Sequence, residues 1–336
     1  MTTRSAREGE AAAQAPDTHR PRRRHVLDLD DFSREEIEEV MQNSSIMKEV
    51  LGRDIKKVPA LRGKSIVTLF LEPSTRTRVS FEHAAKILSA DVINVTGTGS
   101  SAEKGESLYN TALTLQAMNA DLIVMRHPHS GAPYFLARNL DAGVINAGDG
   151  GHAHPTQALL DLYTIQTRLG RIEGVRVAIV GDILYSRVAR SNLWGLTRMG
   201  ASVVICAPPT LLPPAFIGGS RVPEGHPFAS IETETSVERA LEGADVVMAL
   251  RIQRERQQAS HLPTVREYSR MYGITADRLR LASPDVIVMH PGPMNEGLEI
   301  DTEVAHGARS VIEEQVANGV AVRMALLYGL MPHGRT

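Results

Sequence analysis

Residues 72–78 read Glu-Pro-Ser-Thr-Arg-Thr-Arg and follow directly on the apolar run Ser65-Ile66-Val67-Thr68-Leu69-Phe70-Leu71. The run has the length and composition of a buried parallel strand. Pro73 cannot join a strand ladder and ends it. Beyond it, Val79, Ala84, Ala85 and Leu88 recur at roughly helical spacing, so a helix is expected to begin within Ser74–Thr77. A helix N-terminus that follows a strand offers unpaired backbone N–H groups and the positive end of the helix dipole. Hydroxyls from Ser74, Thr75 and Thr77, with the Arg76 guanidinium, would complete a site for a doubly charged phosphate. A hydroxyl-rich cap beside two surface arginines would use the same residues without chemistry. The placement at a strand-to-helix turn, where open α/β sheets bind ligands, favours the anion site.

Other charged residues fall at comparable places. Val124-Met125-Arg126-His127-Pro128 closes a second apolar run and directs Arg126 toward the same crevice as Arg76. Asn146-Ala147-Gly148-Asp149-Gly150-Gly151-His152-Ala153-His154-Pro155-Thr156-Gln157 reads as a strand end, a glycine-rich loop and a helix start. Two histidines at i and i+2 invite a metal reading, but no convergent third ligand accompanies them, and no metal site is expected. His152 is expected to cap or pack. Further on, Arg187 ends Gly181-Asp182-Ile183-Leu184-Tyr185-Ser186-Arg187, and Arg251 opens Arg251-Ile252-Gln253-Arg254-Glu255-Arg256 after another apolar run. Two guanidiniums at strand ends suit a dicarboxylate, because the planar fork binds carboxylate in a bidentate way. Gly97-Thr98-Gly99-Ser100-Ser101-Ala102 fits a dinucleotide-type glycine pattern only weakly, since the next strand begins with Asp121 instead of ending in an acidic residue.

The elements that must carry these residues alternate. Strands are expected near 65–71, 91–95, 121–125 and 143–147, with helices near 76–88, 107–118 and 133–140 between them. After a long helical pattern at 156–168, strands at 175–180, 202–206, 245–250 and 285–289 alternate with helices at 187–198 and 237–241. Six of the eighteen prolines fall between residues 208 and 227, which marks that stretch as a loop. Ser33 followed by Glu36 is a capping box opening an early helix. A helix over 312–330 closes the chain. The pattern implies an α/β protein of two doubly wound parallel-sheet domains joined by helices, with the active site in the crevice between them. The expected divisions are a disordered tail (1–24), a phosphate-binding domain (25–155), a second substrate domain (156–308) and a C-terminal helix (309–336) packing back on the first domain.

Composition narrows the function classes. With 336 residues, 42% hydrophobic and 4% aromatic, the chain has ample aliphatic core for two domains. A net charge of −2 argues against a general nucleic-acid or membrane binder. The single cysteine, Cys206, excludes an intrachain disulfide framework and any multi-cysteine zinc site. No apolar run has transmembrane length and the N-terminus lacks a signal-peptide core, so cytoplasmic location is the default expectation. Arg20-Pro21-Arg22-Arg23-Arg24 closes the tail with charge that is expected to be solvated.

Phe70-Leu71-Glu72-Pro73-Ser74-Thr75-Arg76-Thr77-Arg78 resembles the carbamoyl phosphate motif of the transcarbamoylases, and the likeness runs over roughly residues 25–335. The resemblance implies transfer of the carbamoyl group of carbamoyl phosphate to an amino acid's amine, by direct attack through a tetrahedral intermediate and without cofactor or metal. It implies that Ser74, Thr75, Arg76 and Thr77 bind carbamoyl phosphate. From Met125-Arg126-His127-Pro128 it implies Arg126 on the phosphate and carbonyl oxygen. From His154-Pro155-Thr156-Gln157 it implies His154 on the carbonyl oxygen and Gln157 on the carbamoyl nitrogen. Ser100 and Lys104 match a mobile loop that enters a neighbouring subunit's site, which implies a homotrimer with shared active sites. Arg76, Thr77, Lys104, Arg126 and His154 are the expected catalytic residues.

For the second substrate, Arg187 and Arg251-x-Gln253 match the aspartate-specific members, as does His290-Pro291-Gly292-Pro293-Met294-Asn295, where ornithine-specific members carry a cysteine. Lys104, Arg187, Arg251, Gln253, Gly292 and Pro293 are therefore expected to hold L-aspartate, in the step that commits to pyrimidine synthesis. Two rivals are an ornithine-type transcarbamoylase and a non-catalytic carbamoyl phosphate-binding regulator. The missing cysteine opposes the first, and retention of every charged motif position opposes the second. In the family such trimers occur alone, with zinc-bearing regulatory chains, or with dihydroorotase or its inactive relatives, and the Pro-Gly-Pro-x-Asn form and the basic tail lean toward the dihydroorotase-associated type.

Overall fold

The computed structural model describes residues 23–97, 105–217, 222–253 and 264–331. The first unit runs β1 (His25–Val26), α1 (Arg34–Leu51), β2 (Ser65–Phe70), α2 (Thr75–Ile87), β3 (Asp91–Thr96), α3 (Leu108–Ala117), β4 (Leu122–His127), α4 (Ala132–Asn139) and β5 (Gly143–Asp149). Its five strands are parallel in the order β1-β5-β4-β2-β3. After α5 (Pro155–Leu169) come β6 (Arg176–Val180), α6 (Arg187–Arg198), β7 (Ser202–Cys206), β8 (Glu232–Glu234), α7 (Val237–Leu241) and β9 (Val246–Ala249). The series ends with α8 (Val265–Tyr272), α9 (Ala276–Leu279), β10 (Ile287–Met289), α10 (Thr302–Ala305) and α11 (Ile312–Leu330). The second sheet is also parallel throughout, ordered β10-β9-β6-β7-β8.

Why these segments fold so is visible in their burial. Ile66, Val67, Leu69 and Phe70 of β2 and Val177 to Val180 of β6 are all buried, as strands covered on both faces by helices must be. In α5, every residue from Pro155 to Ile165 is buried, because the helix packs against α1, α6 and α11 between the two sheets. One apolar core runs through both units: Val26, Phe81 and Leu159 belong to the same cluster as Ile179, Val247 and Leu326. The helix α11 leaves the second sheet and lies against α1, α2 and α5. At the start of α1 the capping box is complete, with Glu36 N donating to Ser33 Oγ at 3.2 Å and Ser33 N to the Glu36 carboxylate at 2.8 Å.

Expected and observed helix and strand limits agree to within two residues over most of the chain. The proline-rich stretch holds short 3₁₀ turns at Pro209–Leu211 and Pro214–Phe216, consistent with its punctuation by rigid residues. Five elements were not anticipated, β1, β8, α8 and the single-turn helices α9 and α10, each too short or too polar to carry a periodic signal. The strand β1 has two residues, β8 is a polar edge strand, and α8 buries only Tyr268 and Tyr272 from a largely charged sequence. Among the described residues, no helix is long and apolar enough to cross a membrane.

Candidate active site

The cleft between the two sheets has a volume of about 770 Å³ and is lined from both units. Every strand that contributes does so from its carboxyl end, as open parallel sheets require. From β2 come Glu72 and Ser74 to Thr77; from β4, Arg126; from the start of α5, His154 and Gln157. Across the cleft, the loop after β6 supplies Arg187, the loop after β9 Arg251 and Gln253, and the loop after β10 His290 to Pro293. The structure thus brings together Ser74, Thr75, Arg76, Thr77, Arg126, His154, Gln157, Arg187, Arg251, Gln253, Gly292 and Pro293. Ser100 and Lys104 lie outside the described residues, as do Thr98, Gly99, Ser101 and Ala102 of the glycine pattern.

The first wall gathers a helix N-terminus, hydroxyls and a guanidinium. The helix α2 begins at Thr75 with Ser74 in the N-cap position in extended conformation, and the Ser74 hydroxyl makes no capping bond to the helix. Thr77 is buried, while Thr75 and Arg76 are exposed to the cleft. Desolvation by the surrounding protein and then the charge of Arg251 lower the Arg76 pKa, although a guanidinium does not lose its charge in proteins. A second anionic group between these cations would relieve that strain. Gly292 faces Arg76 at φ +63°, a backbone that favours glycine, and a Cβ there would stand 2.9 Å from the guanidinium carbon and push that side chain aside.

Arg126 sits where the β4–β5 pairing slips register between Met125 and His127, an irregularity of the kind that re-aims side chains beside sites. It donates to Ala147 O at 3.1 Å and to Glu72 Oε1 at 2.7 Å. Arg187 donates to both oxygens of the same carboxylate, at 2.7 and 3.0 Å, and to Gly150 O at 3.0 Å. Glu72 therefore ties an arginine of each unit together and separates their charges. Its place in the motif was plain from sequence, but this role was not, because the partner Arg187 is 115 residues away. The glycine-rich loop lets both guanidiniums close in: a Cβ on Gly148, at φ +118°, would lie 2.9 Å from Arg187.

His154 is buried and its backbone N–H donates to Ser191 Oγ. Burial first, then the charges of Arg126, Arg187 and Arg323, hold its imidazole well below the ordinary histidine pKa. It is neutral at physiological pH and so carries one N–H to donate. His152 behaves differently. It pairs with the buried Asp149 through Nδ1 at 3.2 Å, packs edge-on against Tyr134, and has its pKa raised, mainly by that hydrogen bond. The histidines therefore serve different partners.

Buried acids hold the second wall. Asp182 accepts from Tyr185 N at 3.0 Å and Gln253 N at 3.2 Å, fixing the Arg187 loop and the Arg251–Gln253 loop to one carboxylate. Glu299 lies against His290 Nε2 at 3.3 Å and accepts from Asn295 N at 2.6 Å, while Gly292 N donates to His290 Nδ1 at 2.8 Å. The bond at Nδ1 leaves Nε2 as the donor toward Glu299. Sequence reasoning also missed Arg323 and Gln315 of α11, both lining the cleft. A buried arginine within the apolar run Val320-Ala321-Val322-Arg323-Met324-Ala325-Leu326-Leu327 was the available signal.

Comparison with known proteins gives the same two halves. The model of the aspartate/ornithine carbamoyltransferase carbamoyl-P binding domain matches residues 24–167, and that of the Asp/Orn binding domain matches residues 173–330. The aspartate carbamoyltransferase catalytic subunit of Roseiflexus sp. (strain RS-1) is 62% identical over 311 residues, 93% of this chain and 96% of that one. That of Chloroflexus aurantiacus is 60% identical over 306 residues, covering 91% and 97%. Among solved structures, aspartate transcarbamoylase from Trypanosoma cruzi in complex with N-(phosphonacetyl)-L-aspartic acid is similar, with TM-score 0.82, 32% identity and coverage of 92% and 96%. Ornithine carbamoyltransferase from Pyrococcus furiosus gives TM-score 0.79 at 28% identity, covering 92% and 97%.

Proposed function

The chain belongs to the aspartate/ornithine carbamoyltransferase family, and from that premise we propose how its cleft works. It transfers the carbamoyl group of carbamoyl phosphate to the amine of L-aspartate, giving N-carbamoyl-L-aspartate and phosphate. The observation that carries our reading of the residues is the facing of two unlike anion sites in one cleft. A helix N-terminus with hydroxyls lies on one wall, and the guanidiniums of Arg187 and Arg251 lie on the other.

Residues 25–155 form the carbamoyl phosphate unit and 156–308 the aspartate unit, with α11 (Ile312–Leu330) returning to the first. Ser74, Thr75, Arg76 and Thr77 take the phosphate through hydroxyls, guanidinium and the α2 N-terminus. Arg126, Thr77 and His154 donate to the carbamoyl oxygen, where charge grows as the amine attacks. A neutral His154 suits this role, because its N–H is prearranged and its proton stays with it. The Gln157 amide contacts the carbamoyl nitrogen. Arg187, Arg251 and Gln253 hold the two aspartate carboxylates, and the backbone of Pro291 and Gly292 beside Pro293 receives the amine. Most of the acceleration comes from placing two mutually repelling anions side by side, with closure of the cleft excluding water.

Lys104 and Ser100 complete the site from a neighbouring subunit of a homotrimer. The edge strand β3 supports this reading. Ile93 on it is exposed, as is Leu113 on α3, and Tyr109 of α3 and Phe135 of α4, whose rings meet edge-on at 6.0 Å, expose further apolar surface on the first unit. Inactive Arg76→Ala and Lys104→Ala chains, mixed and reassembled, should regain part of the activity, since some sites then carry neither lesion. No recovery in confirmed mixed trimers would contradict shared sites.

The assignment of the second substrate is tested by phosphate release from carbamoyl phosphate with L-aspartate or L-ornithine, the product being weighed by mass spectrometry. Aspartate-dependent release with carbamoyl aspartate formed is expected. Ornithine dependence would keep the fold and overturn the roles of Arg187, Arg251 and Gln253.

A further inference from the structure

Asp161 lies on α5, fully buried beneath the cleft and not among the residues that line it. Its carboxylate accepts three side-chain amides. Gln157 Nε2 reaches Oδ1 at 2.9 Å, Gln315 Nε2 reaches Oδ1 at 2.8 Å, and Asn192 Nδ2 reaches Oδ2 at 2.9 Å. These donors come from three helices: α5 itself, α11 and α6. Each leads to the site. Gln157 lines the cleft; Gln315 uses its Oε1 to accept from His290 N at 2.9 Å; and Asn192 lies on α6, whose first residue is Arg187.

The polarity of this hub matters more than its stability. An ionised carboxylate accepts only, so each amide must turn its NH₂ group toward Asp161. The Gln157 carbonyl oxygen is then the end left to face the cleft, and it can accept from an N–H donor such as a carbamoyl –NH₂. The Gln315 oxygen is likewise left for the His290 backbone, which begins the Pro291–Pro293 loop. Burial pushes the Asp161 pKa up to about 6, while the three amides and the charge of Arg323 oppose it, so the group is ionised at neutral pH.

We propose that Asp161 is a positioning residue for both half-sites, setting the orientation of Gln157 toward the carbamoyl group and, through Gln315, the placement of the His290–Pro293 loop toward the amino acid. The inference rests on the reading of the cleft given above.

Asp161→Asn tests it, because the shape is kept while the acceptor-only character is lost. Three quantities are measured by titration and steady-state kinetics: the dissociation constants of inorganic phosphate and of carbamoyl phosphate, and the aspartate KM. The carbamoyl phosphate constant and the aspartate KM should each rise about tenfold to a hundredfold, the range for a hydrogen bond to a charged group. Inorganic phosphate, which needs only the Ser74–Thr77 cradle, should bind within about twofold of wild type, as one unaltered site would. Phosphate weakened in parallel would show a merely structural role and overturn the proposal, as would a change in only one substrate or in neither.

Gln315→Leu supplies a second arm should the asparagine variant fold poorly. It removes the amide that joins Asp161 to His290 N and keeps the Gln157 bond to Asp161, so the aspartate KM should rise while carbamoyl phosphate affinity changes far less. Equal changes in both, or none, would overturn the proposal. Absence of aspartate-dependent turnover in the wild-type chain would instead refute the functional reading itself, so the two failures are distinct.

Discussion

Arg76→Ala should lower kcat/KM for carbamoyl phosphate by about 10²–10⁴, because two charge-assisted hydrogen bonds to phosphate are worth roughly 1.5–3 kcal/mol each. The loss should appear chiefly as failure to saturate with carbamoyl phosphate. Arg76 is exposed to the cleft, so the fold should survive its truncation. Removal of this cation takes away attraction for the anionic substrate that low salt strengthens, so any gain in carbamoyl phosphate affinity at low salt should be blunted. Lysine at the same position restores charge without the planar fork, and should recover only part of the activity. Saturation with carbamoyl phosphate close to wild type in Arg76→Ala would show that the phosphate sits elsewhere.

Arg126→Ala should act on a different parameter. If Arg126 donates to the carbamoyl oxygen as its charge develops, its loss should cost about 10²–10³ in kcat, with a smaller effect on either KM. Arg187 would keep its bidentate grip on Glu72, so the tie between the units should persist. A second signature concerns pH. Arg126 is the largest charge, after burial itself, that lowers the His154 pKa. Removing a cation from beside an imidazole raises its pKa, so the acid limb of the kcat profile should move to higher pH in the variant. The direction follows from linkage: His154 must stay neutral to act, and protonation would set in earlier as pH falls. A variant with unchanged kcat would remove Arg126 from the chemistry.

Much of this was legible in the sequence, for reasons that particular residues make clear. Buried parallel strands read as continuous apolar runs, so β2, β4 and β6 stood out, and with them the residues at their carboxyl ends that the cleft gathers. The short β1 and the polar β8 carry no such signal. The motif residues of the cleft were equally plain because they cluster locally, as Ser74 to Thr77 do. What could not be read were the partnerships that fold distant segments onto one another. Asp161 and Gln315 are 154 residues apart in sequence and share a hydrogen bond. Within α5, nothing local marks Asp161 off from an ordinary polar helix residue. Glu299 was hidden in the same way, since burial and pairing are properties of packing, whereas Arg323 could have been noticed as a lone charge within an apolar run. Asp182 was visible as a turn residue after β6, but its bond to Gln253 N depends on β9 lying beside β6.

The central claim is that one cleft holds the phosphate and both carboxylates of the two substrates at once. Calorimetric titration with N-(phosphonacetyl)-L-aspartate, which joins those groups in one molecule, tests it most directly. The account predicts one analogue bound per chain, at least about 10²-fold tighter than inorganic phosphate or L-aspartate alone, and displaced by either at high concentration. Binding no tighter than the better of the two fragments would contradict it, because the two anion sites would then not be reached together.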